Sequence, residues 1–557
     1  MSRTLFWYIF ADLFRVFTMA SGALAGIMSF GGLLRPLTQQ GLDAAQVGKM
    51  LTYLSPAMSA YSFPIAALFA TSVIYGRLGA DNEIVAARAG GISHLALAAP
   101  AIVLGLIVSL ISMLFLWYIV PTYTLKVEQV IYSNVAKLVA GKIERNHQFK
   151  TDAATIYAQA ATVLPADPAK PHEQRLVLDG PMIVQYEKAR HDEKLKIPTE
   201  FYMARSATVH ITPRGGEEGL EFAVALDEGV RFPRQPTGGL QGGVAEAHFG
   251  PMPVDSPIQE NTKFMVVGAL KRLYERPWQS RRVRKLLDEF VVEDQQATYA
   301  RGLAERLSAG DYTATVAAAG GERLLFAADG CRVDVDKGEL VVTPRRGSTA
   351  LARVRIEQSG QTVLTADGPE LRVAVVPLAD GKHLNLTVRM PEAALTVGGE
   401  PVRKREWARV ATVPMPADVK AVERNRTQPQ LYATLDGRPS TNQRALAREL
   451  VMLRHDVLSE LHSRLAFAAC CVVLVLVGCA LGLMFKSGNF LTAFAVSFVP
   501  ALLCITMIIA GQRTSQMVPL EFWKYPDTLD MGLTLIWSGN ALVLVLGAGL
   551  LWRLQRQ

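Results

Sequence analysis

The chain is 557 residues long, half of its residues are hydrophobic and 19% are charged. This mixture, with a positive mean hydropathy, is typical of a membrane protein that carries a large water-soluble part. The formal net charge of +8 favours anionic partners such as lipid head groups, and its distribution gives no nucleic-acid signal. Four of the five cysteines lie in apolar segments, and no CxxC pair predicts a metal site.

Six apolar segments are long enough to cross a bilayer, which takes about 20 residues. They are residues 16–34, 54–74, 94–120, 465–485, 490–510 and 531–552. We expect residues 2–15 to form an interfacial helix and Arg35-Pro36 to end the first span. Residues 122–459 contain no such segment and carry short β-branched or alternating runs between turn residues. The sequence therefore predicts an α-helical membrane protein with six transmembrane helices, three before and three after a large all-β, jelly-roll-like domain.

Shifts in composition along the chain predict the domain boundaries. The interfacial helix and first three membrane helices take residues 1–121. The next part is a β jelly-roll-like domain (122–262), which a charged helical connector (263–310) joins to an inserted second β-rich unit (311–420). A helical return (421–464) then leads to the last three membrane helices (465–557).

The positive charges in the short loops predict the orientation of the chain in the membrane. Four segments fall on one side: the N-terminus, residues 75–93, the turn 486–489 and the C-terminal tail. They carry Arg3, Arg15, Arg77, Arg88, Lys486, Arg553 and Arg556. We expect this side to be cytoplasmic, with both termini there and the β domain on the periplasmic side of a bacterial inner membrane.

Familiar catalytic motifs are missing from the sequence. There is no G-x-x-x-x-G-K-[ST] segment, so no ATP-binding P-loop is encoded, and there is no GxSxG elbow. His455, Glu460 and His462 lie close together without HExxH spacing, and we interpret them as part of a solvated helix before the fourth span. No charged residue lies well inside a span, which argues against a proton-driven transporter. We therefore expect no enzyme and no cofactor.

A short charged segment, Tyr75–Ser93, lies between the second and third spans. Asp81 or Asn82 can cap a short helix there, at about residues 77–91. Glu83 falls in its first turn, and Gly90-Gly91 ends it. A plain connector needs only a few residues, so a segment of this length and helix-forming composition favours a docking element. Its charged residues are Arg77, Asp81, Glu83 and Arg88.

Two motifs carry a family resemblance. The run Tyr75–Ser93 closely resembles the segment between the second and third spans of the LptF/LptG permease family. Glu460-Leu-His-Ser-Arg-Leu-Ala466 resembles that family's sequence at the entry to the fourth span. The six-span layout also matches, and the resemblance covers about residues 1–260 and 440–557.

The resemblance implies a membrane subunit of a lipopolysaccharide exporter. Its expected partners are a second LptF/LptG-type permease, a cytoplasmic LptB-like ATPase dimer, periplasmic LptC/LptA-like jelly-roll proteins and lipopolysaccharide. Glu83 would meet the ATPase, with Arg88 in support and Asp81 and Arg77 beside them. Arg35 would contact a lipopolysaccharide phosphate, although from the sequence alone a snorkelling interfacial charge explains it as well.

The alternative function is a non-transporting membrane anchor whose periplasmic β domain binds an envelope partner. The long region between the third and fourth spans departs from the family, since residues 311–420 look inserted.

Overall fold

The computed structural model describes most of the chain, and every structural statement below concerns the described residues. These are residues 3–40, 44–132, 135–150, 154–165, 168, 170, 172–189, 192–213, 220–233, 244–254, 261–309, 312–318, 320–336, 338–378, 380–397, 400–403, 406–424, 441–484, 490–519 and 527–556.

Six described helices are long and apolar enough to cross a membrane, three before and three after the β region, which confirms the predicted fold class. The third continues through a π-helical turn, Phe115–Ile119. A seven-residue helix, about two turns long, links the second and third. The helices are α1 (Arg3–Gln40), α2 (Ala44–Ala80), α3 (Glu83–Ala89), α4 (His94–Leu114), α5 (Val120–Tyr132), α6 (Val135–Asn146), α7 (Val267–Glu275), α8 (Arg281–Ser308), α9 (Ala417–Arg424), α10 (Thr441–Met484), α11 (Phe490–Gln516) and α12 (Thr528–Arg556).

The first helix refines one expectation. Residues 2–15 are expected to form an interfacial helix that leads into the first span, and Arg35-Pro36 to end that span; the structure has one continuous helix, α1, which runs past Arg35-Pro36 to Gln40. Its N-terminal part stays helical because Ile9 and Leu13 are buried on one face. A proline inside a membrane helix frees one carbonyl only, and the surroundings readily satisfy it.

Small residues bring the membrane helices into close contact. A Cβ atom added to Gly482 of α10 would lie 2.8 Å from the Cβ of Tyr75 in α2 and 3.2 Å from the nitrogen of Gly76. No side chain fits there, so the two backbones pack directly, as small residues allow in membranes. The Tyr75 hydroxyl donates a hydrogen bond to the carbonyl of Leu97 in α4, at 2.7 Å. The end of α2 that leads into α3 is therefore held from two sides.

The first β region is a nine-stranded antiparallel sheet that curls into a half-barrel. The first part of β8 pairs with β7 and its last four residues pair with β6. Between the two parts, Glu228 has a φ of 51°, and this left-handed residue turns the strand. The strands are β1 (Gln148–Lys150), β2 (Ala154–Tyr157), β3 (Ala160–Leu164), β4 (Gln174–Asp179), β5 (Met182–Ala189), β6 (Asp192–Met203), β7 (Ser206–Pro213), β8 (Leu220–Pro233) and β9 (Val244–Val254).

The core of this half-barrel includes a helix. Val139 and Ile143 of α6 are buried in one cluster with strand residues such as Leu176 and Val209. Alternation along β7 produces this arrangement, because every second residue from Ala207 to Ile211 points inward.

The second β region consists of two antiparallel sheets around one core. Tyr299, Leu303 and Leu307 of α8 are buried in that core, together with Cys331. Burial raises the pKa of Tyr299 to about 12, so its hydroxyl stays protonated. The strands are β10 (Thr313–Ala317), β11 (Glu322–Ala327), β12 (Cys331–Asp336), β13 (Glu339–Pro344), β14 (Ala352–Gln358), β15 (Gln361–Gly368), β16 (Leu371–Pro377), β17 (His383–Pro391), β18 (Ala394–Val397), β19 (Glu400–Arg403) and β20 (Glu406–Pro414).

Tertiary contacts divide the chain into two units. The first contains residues 1–271, 455–519 and 523–557, so the half-barrel belongs with the membrane helices; the second contains residues 272–454 and 520–522. The domain boundaries expected from composition stay predictions.

Candidate functional site

The α3 segment is a small helix fastened to the membrane bundle by one side. Ile84 is 8% exposed and belongs to the same apolar cluster as Leu78 of α2 and Leu97 of α4. Ala87 and Ile92 pack against that cluster. These contacts hold α3 against a cluster that also contains residues from the ends of α1, α2, α4 and α12, and we call this end the α3 end of the bundle.

Backbone conformation defines both ends of this helix. Asn82 occupies the N-terminal capping position with a φ of 57°, and its side chain makes no capping hydrogen bond. Of the two capping residues that the sequence suggests, Asp81 and Asn82, it is Asn82 that occupies the capping position, and its left-handed backbone makes the turn without a side-chain hydrogen bond. Gly90 follows the last helical residue, and Gly91 has a φ of 82°, which a glycine adopts without strain.

The predicted site residues fall into two groups at this end. Asp81, Glu83 and Arg88 are exposed, and Val85 beside them is 53% exposed. Arg77 instead forms an ion pair with Asp12 of α1, at 2.5 Å. The polar side of α3 is thus presented to solvent, while Arg77 joins α1 to α2.

A cavity of about 470 Å³ lies among the membrane helices and the residues that follow β9. Its apolar lining residues, which we call the apolar wall, include Tyr61 and Phe467, whose rings are in edge-to-face contact at 5.5 Å between centroids. Its polar lining residues, which we call the polar wall, include Lys263 and Arg513, both exposed. The lining residues are Met28, Tyr61, Ile65, Leu116, Lys263, Glu460, Ser463, Arg464, Phe467, Ile505, Ile508, Ile509, Gln512, Arg513 and Gln516.

A buried ion pair is part of the polar wall. The Arg464 Nε donates to Glu460 Oε1 at 2.8 Å, and Gln512 Nε2 of α11 donates to Glu460 Oε2 at 2.6 Å. Both charged residues are buried, at 3% and 6% exposure. The two terminal nitrogens of Arg464 donate to three backbone carbonyls, those of Thr262, Lys263 and Met265, at 2.9 to 3.1 Å. We call Glu460, Arg464 and these carbonyls the α10 latch.

The charges of the cavity follow from this pairing. Three cations and one carboxylate line the cavity, so the formal net charge of its lining is three minus one, or +2. Arg464 and Glu460 neutralise each other. Lys263 and Arg513 make no ion pair with any described residue and face the cavity as free cations. An apolar lining combined with two free cations suits an amphipathic, anionic ligand.

Two histidines lie on α10 near the latch. His455 is 3% exposed; its Nδ1 donates to the Ser515 carbonyl at 2.8 Å, and its Nε2 lies 3.1 Å from a carboxylate oxygen of Asp527. These contacts join α10 to the end of α11 and to the residue before α12. His462 accepts a hydrogen bond from Trp537 Nε1 at 3.1 Å.

This arrangement corrects a second expectation and adds residues that we had not predicted. The helix before the fourth span is not solvated at His455 and Glu460, because α11 and the segment after β9 cover it. The spacing of Glu460 and Arg464 predicts an ion pair on one helix face, but not its burial. Lys263, Arg513 and Gln512 had no signal in the sequence. Arg35 lies in α1, and its side chain is outside the described part of the structure.

Comparison with known protein families matches residues 7–234 to the family described as lipopolysaccharide export system permease LptF/LptG. Comparison with curated proteins finds no match. The matched range contains α1 to α6, including α3 with its exposed Glu83, and most of the half-barrel sheet. Residues 7–234 are therefore similar to the LptF/LptG family of lipopolysaccharide export permeases.

Proposed function

We propose that this chain is the membrane subunit of an ABC exporter that takes lipopolysaccharide from the inner membrane, with ATP hydrolysis supplied by a separate LptB-like ATPase dimer. The observation that carries the proposal is the family match over residues 7–234. A second LptF/LptG-type permease would complete the transporter, and LptC/LptA-like jelly-roll proteins would receive the lipid. Both termini would then be cytoplasmic and the β regions periplasmic.

In this proposal α3 receives the mechanical work. A coupling element has to be firmly attached to the helices that it moves and open to its partner on the other side. Ile84 supports the first requirement, since it packs among the ends of α2 and α4. The exposed Glu83, Val85 and Arg88 support the second, because they offer an acid, an apolar contact and a base on one short helix.

The cavity would hold the lipid. Its apolar wall suits acyl chains, and Lys263 and Arg513 suit the phosphates of a lipopolysaccharide head group, since cations bind phosphate through charge-assisted hydrogen bonds. The latch would keep Lys263 in place, because the carbonyl of Lys263 itself binds Arg464.

The proposal is tested by co-purifying the chain with its ATPase. We expect Glu83→Ala to weaken the association and Glu83→Arg to abolish it, because the second variant adds a repulsive charge at the contact. Asp530→Ala is the matched control, since Asp530 is an exposed acid in the first turn of α12, away from α3.

Two results would contradict the proposal. The first is that both Glu83 variants keep the ATPase bound and the cells still export lipopolysaccharide. The second is that Asp530→Ala weakens the association as much as Glu83→Ala. Either result would favour a membrane anchor that does not transport lipid.

A further inference from the structure

One strongly charged surface has no part in the proposed export mechanism. Residues 272–285, which we call the basic segment, cover the end of α7, the following turn and the start of α8. The basic segment has one acidic residue, Glu275, and six basic residues, Arg272, Arg276, Arg281, Arg282, Arg284 and Lys285, so its net charge is six minus one, or +5. The whole chain has a net charge of only +8.

The fold does not use most of these charges. Arg272, Arg276, Arg284 and Lys285 are exposed, and the structure gives none of them an ion pair with a described residue. The apolar residues of the basic segment do the packing instead, since Leu273 and Val283 are buried. The cations therefore remain available to a partner.

The position of the charges also costs stability. Arg281, Arg282, Arg284 and Lys285 lie in the first five residues of α8, which has no acidic residue in its first turn and no side-chain cap. A helix N-terminus carries a partial positive charge, so each cation there is unfavourable by about 0.3–1 kcal/mol. Arg284 and Lys285, which make no ion pair with a described residue, break this rule without an internal compensation, as is expected where an external partner supplies it.

Chain connectivity alone limits how far the first residue of the basic segment can lie from Arg464. The carbonyl of Met265 is bonded to Arg464, the residue directly before the apolar part of α10. Arg272 follows Met265 by seven residues, so even a fully extended chain places it within about 25 Å of that point. Tyr274, which is 44% exposed, and Trp278 add side chains of the kind that accumulate at membrane interfaces.

We propose that the basic segment is a docking surface for the anionic phospholipid head groups of the bilayer that the six helices span. The cations would lie against the lipid phosphates, and the second unit would thereby be held at the membrane surface. Each basic side chain near an anionic membrane surface strengthens such an attraction about fivefold. The proposal does not depend on lipopolysaccharide export.

The experiment uses the full chain in lipid nanodiscs. Gln279, an exposed residue within the basic segment, is replaced by cysteine and labelled with a fluorophore. The five native cysteines are all buried and are not expected to react. Quenching by a head-group spin-labelled lipid then reports how close the basic segment lies to the bilayer. We compare nanodiscs of phosphatidylcholine with nanodiscs of increasing phosphatidylglycerol content.

For the otherwise unchanged chain, we expect quenching to increase with the phosphatidylglycerol fraction and to decrease with salt. Replacing Arg272, Arg276, Arg284 and Lys285 by glutamine should abolish the dependence on phosphatidylglycerol. Changing the three arginines to lysine keeps the charge and should preserve it. The matched control removes the same charge from exposed arginines of the second β region that also have no ion pair, by Arg323→Gln, Arg346→Gln, Arg355→Gln and Arg389→Gln. It should behave like the unchanged chain.

Equal quenching in phosphatidylcholine and phosphatidylglycerol nanodiscs would overturn the proposal and point to an acidic protein as the partner. The proposal would also fail if the control substitutions reduced quenching as much as those in the basic segment, because the effect would then be one of net charge alone.

Discussion

At the scale of single residues, the latch explains how two charges are tolerated beside an apolar membrane helix. The guanidinium of Arg464 donates hydrogen bonds to one carboxylate and three carbonyls, and Gln512 donates to the second carboxylate oxygen of Glu460. A buried ion pair repays its desolvation only when further hydrogen bonds satisfy both groups. Here both groups have those bonds, so the latch can join α10, α11 and the segment after β9.

The latch leads to a prediction about stability. Glu460→Ala leaves the Arg464 charge buried without its carboxylate and should cost about 3–5 kcal/mol. The apparent melting temperature of the purified chain in detergent, measured by size exclusion after heating, should fall. The double variant Glu460→Leu/Arg464→Met removes both charges but leaves the carbonyls of Thr262, Lys263 and Met265 without their donor. It should therefore recover only part of the loss. If the double variant recovered the full melting temperature, these hydrogen bonds to the carbonyls would contribute nothing to stability.

The two free cations of the cavity lead to a second prediction at this scale. Replacing Lys263 and Arg513 by glutamate reverses the charge of the polar wall and should reduce the amount of lipopolysaccharide that co-purifies, without lowering the melting temperature, because both side chains are exposed. Arg553→Glu is the control, since Arg553 is an exposed cation in the last turn of α12. If the double variant co-purified with an unchanged amount of lipopolysaccharide, these two residues would not be part of the binding site.

At the scale of elements, the close approach of α10 and α2 links the latch to the α3 end of the bundle. Gly482 lies against Tyr75 and Gly76, a few residues before α3 begins, whereas Glu460 and Arg464 lie further towards the N-terminus of the same α10 helix. A rigid helix that contacts both places can pass a displacement from one to the other.

Gly482→Ala tests this link. The added Cβ atom would lie 2.8 Å from the Cβ of Tyr75 and has to push α10 away from α2, which should cost about 1–3 kcal/mol. If α3 couples to the ATPase, ATP hydrolysis by the reconstituted complex should respond less to lipopolysaccharide. Gly549→Ala in α12 is the control, because no atom lies within 4 Å of its added Cβ. Equal responses from the two variants would separate α10 from the coupling path.

The elements also show what the sequence could predict. Long apolar runs predicted all six membrane helices, and alternation predicted strands such as β7, because both signals are local. Gly90-Gly91 predicted the end of α3 for the same reason. The burial of Glu460 and Arg464 was missed because the carbonyl partners of Arg464 lie 199 to 202 residues away along the chain. The turn in β8 was missed too, since a glutamate rarely adopts a positive φ.

At the scale of the whole molecule, the second β region is built together with the helices that flank it. Tyr299, Leu303 and Leu307 of α8 and Val419 of α9 are buried in the same core as its strands. The strands of residues 311–420 therefore share their core with α8, which precedes that range in the sequence.

Two deletions test which residues form this unit. Removing residues 311–420 exposes the apolar side of α8, at a cost of about 1.5–3 kcal/mol for each leucine left in water. We expect that variant to aggregate. Replacing residues 281–424 by a flexible glycine–serine linker removes α8, the strands and α9 together, so it leaves none of this core exposed. That variant should elute as a single species in size exclusion and keep its ATPase partner, because α3 and the latch are intact. The contrary result is that the shorter deletion elutes as a single species, as the longer one should. In that case α8 would be stable without the strands, and the buried contacts of Tyr299, Leu303 and Leu307 would not hold the second unit together.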